Sequence, residues 1–330
     1  MADDPLPVAV VGAGPTGIAC AVELGRRGIE AVCFDRGAIL DSIYHFPEEM
    51  VWFSTRDLLD IAGVPFGTPH AHPTRLETLA YYRGVAEKFA VRVEPESEVL
   101  SAALQPDGTF LLALGGRQPR AVRASAVVLA TGFFHNPKRL AVPGCDLPIV
   151  HERYVSGYPF HGRKVVVVGG KNSAAEAALD LYRHGASVTM VVRSGAISER
   201  VKYWIKPDLE NRIRAGAIRA LFHSRVAEIQ PEAVLVETPS GQVLVPAEAV
   251  FPLIGYEPDF ALLARCGASL RGERREPEHD SATLESNVPG LYLAGAVLSG
   301  TDTGRIFIEN SRHHAAAIAA AIAQRRAVHV

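Results

Sequence analysis

Residues 8–17 read VAVVGAGPTG, and residues 165–174 read VVVVGGKNSA. Each segment is a run of β-forming residues that ends in a glycine turn and leads into a predicted helix. In this arrangement the backbone N–H groups of the turn and the N-terminus of the helix form a binding site for a pyrophosphate. Two such segments predict that one chain holds two dinucleotides, and the usual reason for holding two is electron transfer between them.

The composition is that of an ordinary globular protein. The chain has 330 residues, enough for two domains, and is 48% hydrophobic and 21% charged. A net charge of −2 argues against nucleic acid or an anionic membrane as a partner. No apolar stretch reaches about 18 residues, and the N-terminal residues lack the features of a signal peptide.

The four cysteines carry no redox or metal signature. Cys20, Cys33, Cys145 and Cys266 form no CxxC pair and do not have the spacing of zinc ligands. We therefore predict a cytoplasmic protein with reduced thiols, no metal site, no membrane segment and no nucleic-acid partner.

The order of predicted elements indicates that one domain interrupts another. A buried strand at 291–295 and a last helix from about Gly304 to Gln324 resume the pattern of the first domain. We predict an α/β fold of two Rossmann-like domains, each with three ββα layers. Residues 1–134 and 254–330 form the first domain, and residues 135–253 form the second domain, inserted into it.

The first glycine turn matches G-x-G-x-x-G in full. Asp35 ends the next predicted strand, where a carboxylate accepts hydrogen bonds from the ribose hydroxyls of an adenosine. The alternative is a glycine-rich turn with a surface aspartate, but strand, turn, helix, strand and acid follow in the order of a dinucleotide site. The predicted contacts of the turn are Gly12, Gly14, Pro15, Thr16 and Gly17.

The second glycine turn departs from this pattern, because Lys171 stands where the central glycine is expected. Arg193 ends the next strand, where a site for NADH would place an acid. A guanidinium there suits the 2′-phosphate of NADPH, although a solvated charge at a strand end is the alternative. The predicted contacts of this site are Gly169, Gly170, Lys171, Asn172, Ser173, Ala174, Arg193, Arg200 and Lys202.

Several segments resemble the two-dinucleotide flavoprotein reductases, above all the low-molecular-weight thioredoxin reductases. They are GAGPTG at 12–17, ATG at 130–132, GGKNSA at 169–174 and LYLAG at 291–295. A narrower resemblance, to the bacillithiol disulfide reductase (YpdA-type) family, is carried by SIYHFP at 42–47, GGKNSA, IGYEPD at 254–259 and GRIFIEN at 304–310.

The resemblance covers essentially the whole chain and implies an activity. It implies FAD in the first domain, NADPH in the inserted one, and an FAD-dependent NADPH oxidoreductase that reduces a small-molecule disulfide. It also implies a homodimer or homotetramer. Further FAD contacts implied by it are Arg36, Ser42, Ile43, Val99, Thr131, Gly132 and Gly295.

Two departures from the related families bear on the chemistry. Thioredoxin reductases carry a CxxC just before the second glycine turn, whereas residues 151–157 here contain no cysteine. The resemblance therefore implies that electrons pass from the flavin directly to the substrate, or to a mixed species formed from it. The narrower family often carries a cysteine inside the first turn, where this chain has Thr16; either that cysteine is dispensable or the substrate differs.

The predicted last helix supplies the remaining site residues. Its start, with Arg305 and Ile306, would present N–H groups to the flavin, and Asp302 would contact the ribityl chain. Further along, Glu309 and Asn310 accompany His314, and a histidine there could protonate a leaving thiolate. The alternative is a capped, partly exposed helix face.

Three other function classes remain open at this point. A flavin-containing monooxygenase also uses two glycine turns, but would need oxygen and is often a longer chain. A ferredoxin– or flavodoxin–NADP reductase would need a basic docking face. A non-enzymatic redox sensor would show no NADPH turnover with any acceptor.

Overall fold

The computed structural model describes residues 6–328, which divide into two compact units. The first unit contains the described residues up to His45, then Met50–Asn136 and the described residues from Glu257 onward. The second unit contains Phe46–Glu49 and Pro137–Tyr256. The assignment of one dinucleotide to each domain stays a prediction.

The elements in chain order begin with β1 (Val8–Val11), α1 (Pro15–Gly25), β2 (Ala31–Phe34), α2 (Asp41–Tyr44), α3 (Arg56–Leu59), α4 (Arg75–Lys88), β3 (Arg92–Glu94), β4 (Ser97–Leu104), β5 (Phe110–Gly116), β6 (Arg120–Ala124) and β7 (Ala126–Leu129). The second unit adds β8 (Lys164–Val168), α5 (Asn172–Arg183), β9 (Ser187–Val191), α6 (Lys206–Arg214), β10 (Arg219–Leu221), β11 (Arg225–Gln230), β12 (Ala233–Thr238), β13 (Gly241–Pro246) and β14 (Ala249–Pro252). The first unit resumes with α7 (Phe260–Arg265), β15 (Leu270–Arg271), β16 (Glu276–Pro277), β17 (Leu291–Leu293), α8 (Ile308–Ser311) and α9 (His314–Val328).

The first unit is built on a parallel sheet in the order β17-β7-β1-β2-β3. All four residues of β1 and of β7 are buried, as expected for strands of a parallel sheet that is covered on both faces. Helix α1 packs against α9 and also contacts β2. A separate antiparallel sheet, β4-β5-β6, completes the unit.

The second unit repeats this plan with a parallel sheet in the order β10-β9-β8-β14 and an antiparallel sheet β11-β12-β13. Strand β14 lies at the edge of the sheet and ends in Pro252, which pairs with Val168. A proline is tolerated there because an edge strand needs hydrogen bonds on one side only. The predicted α/β fold class is confirmed.

The prediction for the last helix is wrong at its start. Residues 304–307 are not helical; α8 begins at Ile308, and α9 begins at His314 after a short break. Phe307 is extended, with φ −125° and ψ 178°, and its N–H donates to Asn310 Oδ1 at 2.8 Å. This side-chain acceptor starts the helix four residues later than the sequence pattern indicated.

Three of the four cysteines behave as core residues, and Cys145 is half-buried. Cys20 and Cys33 are fully buried, and Cys266 is nearly so. Burial raises the pKa of the Cys20 thiol to about 12 and that of Cys266 to about 11, so neither forms a thiolate near neutral pH. No helix within residues 6–328 has the length and apolar character needed to cross a bilayer.

Candidate functional site: two dinucleotide turns

The first glycine turn shows two different uses of glycine. A Cβ at Gly12 would lie 2.7 Å from the Ala130 carbonyl oxygen, and one at Gly17 would lie 2.0 Å from that of Gly12. A Cβ at Gly14 would meet nothing within 4 Å. Gly12 and Gly17 are therefore needed for packing, whereas Gly14 leaves open space at the N-terminus of α1, where a phosphate group would approach.

Asp35 holds the turn as well as facing the predicted adenosine. Its Oδ2 accepts from the Ala13 N–H at 2.8 Å, and its Oδ1 accepts from the Gly37 N–H at 3.0 Å. Burial raises the pKa of Asp35, and these two N–H donors oppose that effect. Each carboxylate oxygen has a second lone pair, which leaves acceptor capacity for a ribose hydroxyl.

A second turn of the first unit lies against Thr16. Gly295, with φ +76°, follows β17, and a Cβ there would lie 2.9 Å from Thr16 Oγ1. The Gly295 N–H donates to His314 Nδ1 at 3.1 Å. Burial, together with nearby His279 and His313, lowers the pKa of His314 to about 4. The ring is therefore neutral near pH 7, accepts through Nδ1 and carries its proton on Nε2.

The predicted site residues around α8 are bound by hydrogen bonds and ion pairs within the first unit. Asn310 Nδ2 donates to the Arg305 carbonyl oxygen at 2.8 Å, so both ends of this amide bind the backbone of the 305–307 loop. The Arg305 guanidinium lies 3.0 Å from Glu276, and Asp302 lies 3.8 Å from Arg274. Arg305 and Ile306 thus stand in a loop, and the helix start predicted there does not form; the Arg305 N–H donates instead to the Asp302 carbonyl oxygen at 3.2 Å. Glu309 is half-buried on α8.

An aspartate and two histidines meet beyond the carboxyl ends of β2 and β7 in the parallel sheet. The sequence analysis did not predict this group. His135 Nε2 and His45 Nδ1 each lie 3.3 Å from Asp41 Oδ2. Asp41 follows β2 and His135 follows β7, and these strands lie on either side of β1. The contact therefore spans the end of β1, where the first glycine turn begins. Both histidines can be read from the sequence, in HFP at 45–47 and FHNP at 134–137. Their approach to Asp41 depends on the order of the strands in the sheet, which the sequence does not show.

The other predicted FAD contacts differ in exposure. Ser42 and Thr131 are half-buried, and Gly132 has φ +61° in the segment after β7. Ile43 and Val99 are buried. Arg36 is exposed. Residues 42–43 lie on α2, which follows β2, and residues 131–132 follow β7, so both pairs lie beyond the carboxyl ends of strands in the parallel sheet, whereas Val99 belongs to β4 in the antiparallel sheet.

The second glycine turn is tightly packed despite Lys171. Gly169 has φ +139°, and a Cβ there would lie 2.5 Å from the Leu253 carbonyl oxygen. A Cβ at Gly170 would lie 2.8 Å from Val192 Cγ1. Lys171 is exposed and extended at the N-cap of α5, so its side chain fits without a left-handed backbone. Ser173 is exposed and Ala174 is buried.

The basic residues of the second site divide into two kinds. Arg193 and Arg200 are exposed, and neither has an acidic partner within ion-pair distance among residues 6–328. Lys202 is 5% exposed, and its ammonium group pairs with Glu176. The first two can meet an anion, whereas Lys202 already has a half-buried carboxylate partner, Glu176, which the sequence did not reveal.

Glu49, Asp180 and His184 form a group whose ligand atoms lie within 4.8 Å of one another. Asp180 accepts from the Tyr154 hydroxyl and from the Gly157 N–H. A hydrogen bond to the Asp180 backbone raises the pKa of His184, which favours the charged ring over a metal-binding one. Asp180 and His184 thus belong to a local hydrogen-bond network.

Known proteins with similar sequences and structures identify the family to which this chain belongs. The family model for pyridine nucleotide-disulphide oxidoreductases matches residues 9–295. The bacilliredoxin reductase Bdr of Bacillus subtilis is 34% identical over 317 residues, which cover 96% of this chain and 97% of that protein. The solved bacillithiol disulfide reductase Bdr (YpdA) of Bacillus cereus matches with a TM-score of 0.94 at 34% identity, covering 98% of this chain and 100% of that one.

The chain belongs to the pyridine nucleotide-disulphide oxidoreductase family. More distant matches include a ferredoxin–NADP reductase of Ignicoccus hospitalis, 25% identical over 87% of this chain and 88% of that protein. A flavin monooxygenase of Stenotrophomonas maltophilia, at 21% identity and a TM-score of 0.78 over 98% of this chain and 99% of that one, shows a shared fold. The predicted bacillithiol disulfide reductase-like relationship is thus confirmed.

This oxidoreductase uses the cofactors of its family, FAD and NADPH. Both glycine turns fit a dinucleotide, because each precedes a helix of at least eleven residues and shows no side-chain cap at its N-terminus. The open space at Gly14 and the exposed Arg193 and Arg200 are the chain's own features that suit a pyrophosphate and a 2′-phosphate, respectively.

Proposed function

We propose that this enzyme reduces a low-molecular-weight disulfide, such as bacillithiol disulfide, with electrons from NADPH. The net reaction consumes one NADPH, one proton and one disulfide, and yields NADP⁺ and two thiols. Bound FAD supplies the two-electron chemistry that links the two substrates. The observation that carries the proposal is full-length similarity to two named Bdr proteins in a chain that has no CxxC pair.

The residues divide between two sites in this proposal. The first unit holds FAD at the turn that begins at Gly12, and the second holds NADPH at the turn that begins at Gly169. With Cys20, Cys33 and Cys266 buried, no thiol of the flavin-binding unit is suited to relay electrons. Bound FAD would therefore supply electrons to the substrate disulfide without a relay through a thiol of that unit.

The reaction needs one proton from solution or from a side chain near the substrate. His314 is neutral near pH 7, and its Nδ1 already accepts from Gly295, so we assign it to positioning of this turn. Asn310 positions the 305–307 loop. Glu309 stays a predicted catalytic residue, and slower turnover of a small disulfide by Glu309→Gln, with FAD binding unchanged, would support that role.

We also propose an oligomeric state and a location in the cell for this enzyme. A homodimer or homotetramer follows from the family resemblance, and the mass in solution by light scattering tests it. A cytoplasmic location fits four cysteines that are all unpaired, because cytosolic thiols are kept reduced.

Anaerobic NADPH oxidation by the FAD-loaded enzyme tests the proposed substrate. The acceptors are bacillithiol disulfide, glutathione disulfide, cystine and an oxidised bacilliredoxin. Rapid turnover with a small disulfide supports the proposal. A flavin that is reduced but not reoxidised by any small disulfide contradicts it, as does turnover with the protein disulfide alone.

Thr16→Cys provides a matched comparison, because it introduces the cysteine that related enzymes often carry in this turn. Direct reduction by the flavin predicts the same turnover in both proteins. A large gain in the Thr16→Cys variant would instead show that a thiol relay is required and that the wild-type substrate is another acceptor.

A further inference from the structure

The loop between β9 and α6 is tied to the second glycine turn by three hydrogen bonds. The Ser198 N–H donates to the Gly170 carbonyl oxygen at 2.9 Å. Asn172 Nδ2 donates to the Arg200 carbonyl oxygen at 3.0 Å, and Asn172 Oδ1 accepts from the Lys202 N–H at 2.9 Å. One side chain at the first position of α5 thus binds the loop on both sides of residue 201.

An ion pair between the buried Lys202 and the half-buried Glu176 also anchors this loop to α5. Lys202 is 5% exposed, and its ammonium group contacts Glu176, which lies one helical turn after Asn172 on α5. The Lys202 Nζ also lies 5.8 Å from the centre of the Trp204 ring. Because the Lys202 ammonium group is largely removed from water, leaving it without its carboxylate partner is costly, and the loop is held at a fixed place on α5.

Arg200 lies between these anchors and is itself exposed. Its N–H donates to Ser198 Oγ at 3.2 Å, so its backbone is bonded on both sides while its guanidinium stays in solvent. An arginine whose backbone is fixed loses less conformational freedom when it binds a phosphate. The N-terminus of α5, which favours anions, lies beside it.

We propose that Asn172 is a positioning residue for cofactor choice, which holds Arg200 where it meets the 2′-phosphate of NADPH. This assignment rests on the proposed NADPH site in the second unit. In place of the direct contact with the cofactor that the sequence predicted, Asn172 acts through the loop, since both functions of its amide are used within the chain. Its loss should weaken ligands that carry a 2′-phosphate and spare those that do not.

Binding of two adenosine fragments to the FAD-loaded enzyme tests this, with 2′,5′-ADP as the probe and 5′-ADP as its counterpart without a 2′-phosphate. In Asn172→Ala, we expect affinity for 2′,5′-ADP to fall about tenfold, as for one lost charged hydrogen bond, with 5′-ADP unchanged. Asn172→Ser, whose hydroxyl can keep one of the two bonds, should lie between, and covers the case in which the alanine variant fails to fold.

Asn287→Ala is the matched control. Asn287 makes the same two kinds of bond in the first unit, donating to the Gly267 carbonyl oxygen at 2.9 Å and accepting from the Ser269 N–H at 2.7 Å. Its loss should leave the preference for 2′,5′-ADP unchanged. An unchanged preference in Asn172→Ala, or an equal loss of both fragments, would overturn the proposal. A wild type without any preference for 2′,5′-ADP would overturn the NADPH site itself.

Discussion

Gly14 and Gly17 are three residues apart on one turn, yet they should respond oppositely to the same methyl group. Gly17→Ala places a Cβ 2.0 Å from a backbone oxygen, and we expect the free energy of unfolding to fall by about 2 kcal/mol or more. Gly14→Ala meets open space at φ −79°, so the protein should fold normally but bind FAD at least about tenfold more weakly.

Denaturant unfolding and FAD titration of both variants check this prediction. Normal FAD affinity in Gly14→Ala would show that the open space beside α1 is not where the cofactor lies. Unaltered stability in Gly17→Ala would mean that the turn relaxes more readily than its backbone contacts indicate.

His314 should make stability depend on pH in acid. Its pKa in the folded protein is about 4, below the ordinary value of 6.5, so the unfolded chain binds more protons between these values. The stabilisation by the neutral ring is therefore complete above about pH 6.5 and is lost as the pH falls towards 4. Protonation of Nδ1 also removes the acceptor of the Gly295 N–H.

His314→Asn keeps an acceptor near the position of Nδ1 but cannot be protonated. We expect it to lose less unfolding free energy than the wild type between pH 7 and pH 5, measured by denaturant titration at each pH. Equal losses in the two proteins would assign the acid sensitivity to other groups.

Asn310 acts at the level of an element, because it determines where α8 begins. Asn310→Ala should free the Arg305 carbonyl and the Phe307 N–H, and lower the unfolding free energy by about 1 kcal/mol, as for a lost helix cap. Hydrogen exchange of peptides covering 304–307 should accelerate. If hydrogen exchange in these peptides stays at the wild-type rate, the ion pair between Arg305 and Glu276 is enough to hold the loop.

Asp41 and His135 connect α2 to the segment after β7, across the start of the first glycine turn. Asp41→Asn and His135→Gln should each speed the release of FAD, followed by the rise in flavin fluorescence. The effect of the double variant should be smaller than the sum of the single effects, because both act through one contact. Fully additive effects would show that the two side chains act independently.

Elements could be predicted from the sequence where a local pattern determines them. The glycine turns at Gly12 and Gly169 and their flanking strands depend on neighbours only, and they lie where the pattern indicated. The start of α8 depends on a side chain, Asn310, that folds back onto the preceding loop. The roles of Lys202 and Asn172 depend on contacts with Glu176 and with the 200–202 loop, which spacing alone does not reveal.

At the scale of the whole molecule, the two cofactors should protect different units. Hydrogen exchange with and without FAD should show protection at 12–17 and 130–135, and NADP⁺ should protect 169–174 and 193–202. The reason is that each cofactor binds the folded turn and suppresses its local opening. Protection of both regions by one cofactor alone would contradict the assignment of the units.

The position of β17 has a consequence for biosynthesis. Leu291 pairs with Val127, so the sheet that begins at Val8 is finished only when residues 291–293 have left the ribosome. By then β14, the last strand of the inserted unit, has long been available to its own sheet. In the interval, β7, with all four residues apolar, lacks its outer neighbour and exposes an edge that favours aggregation. Chains that stop before residue 291 should therefore be the ones that depend most on chaperones.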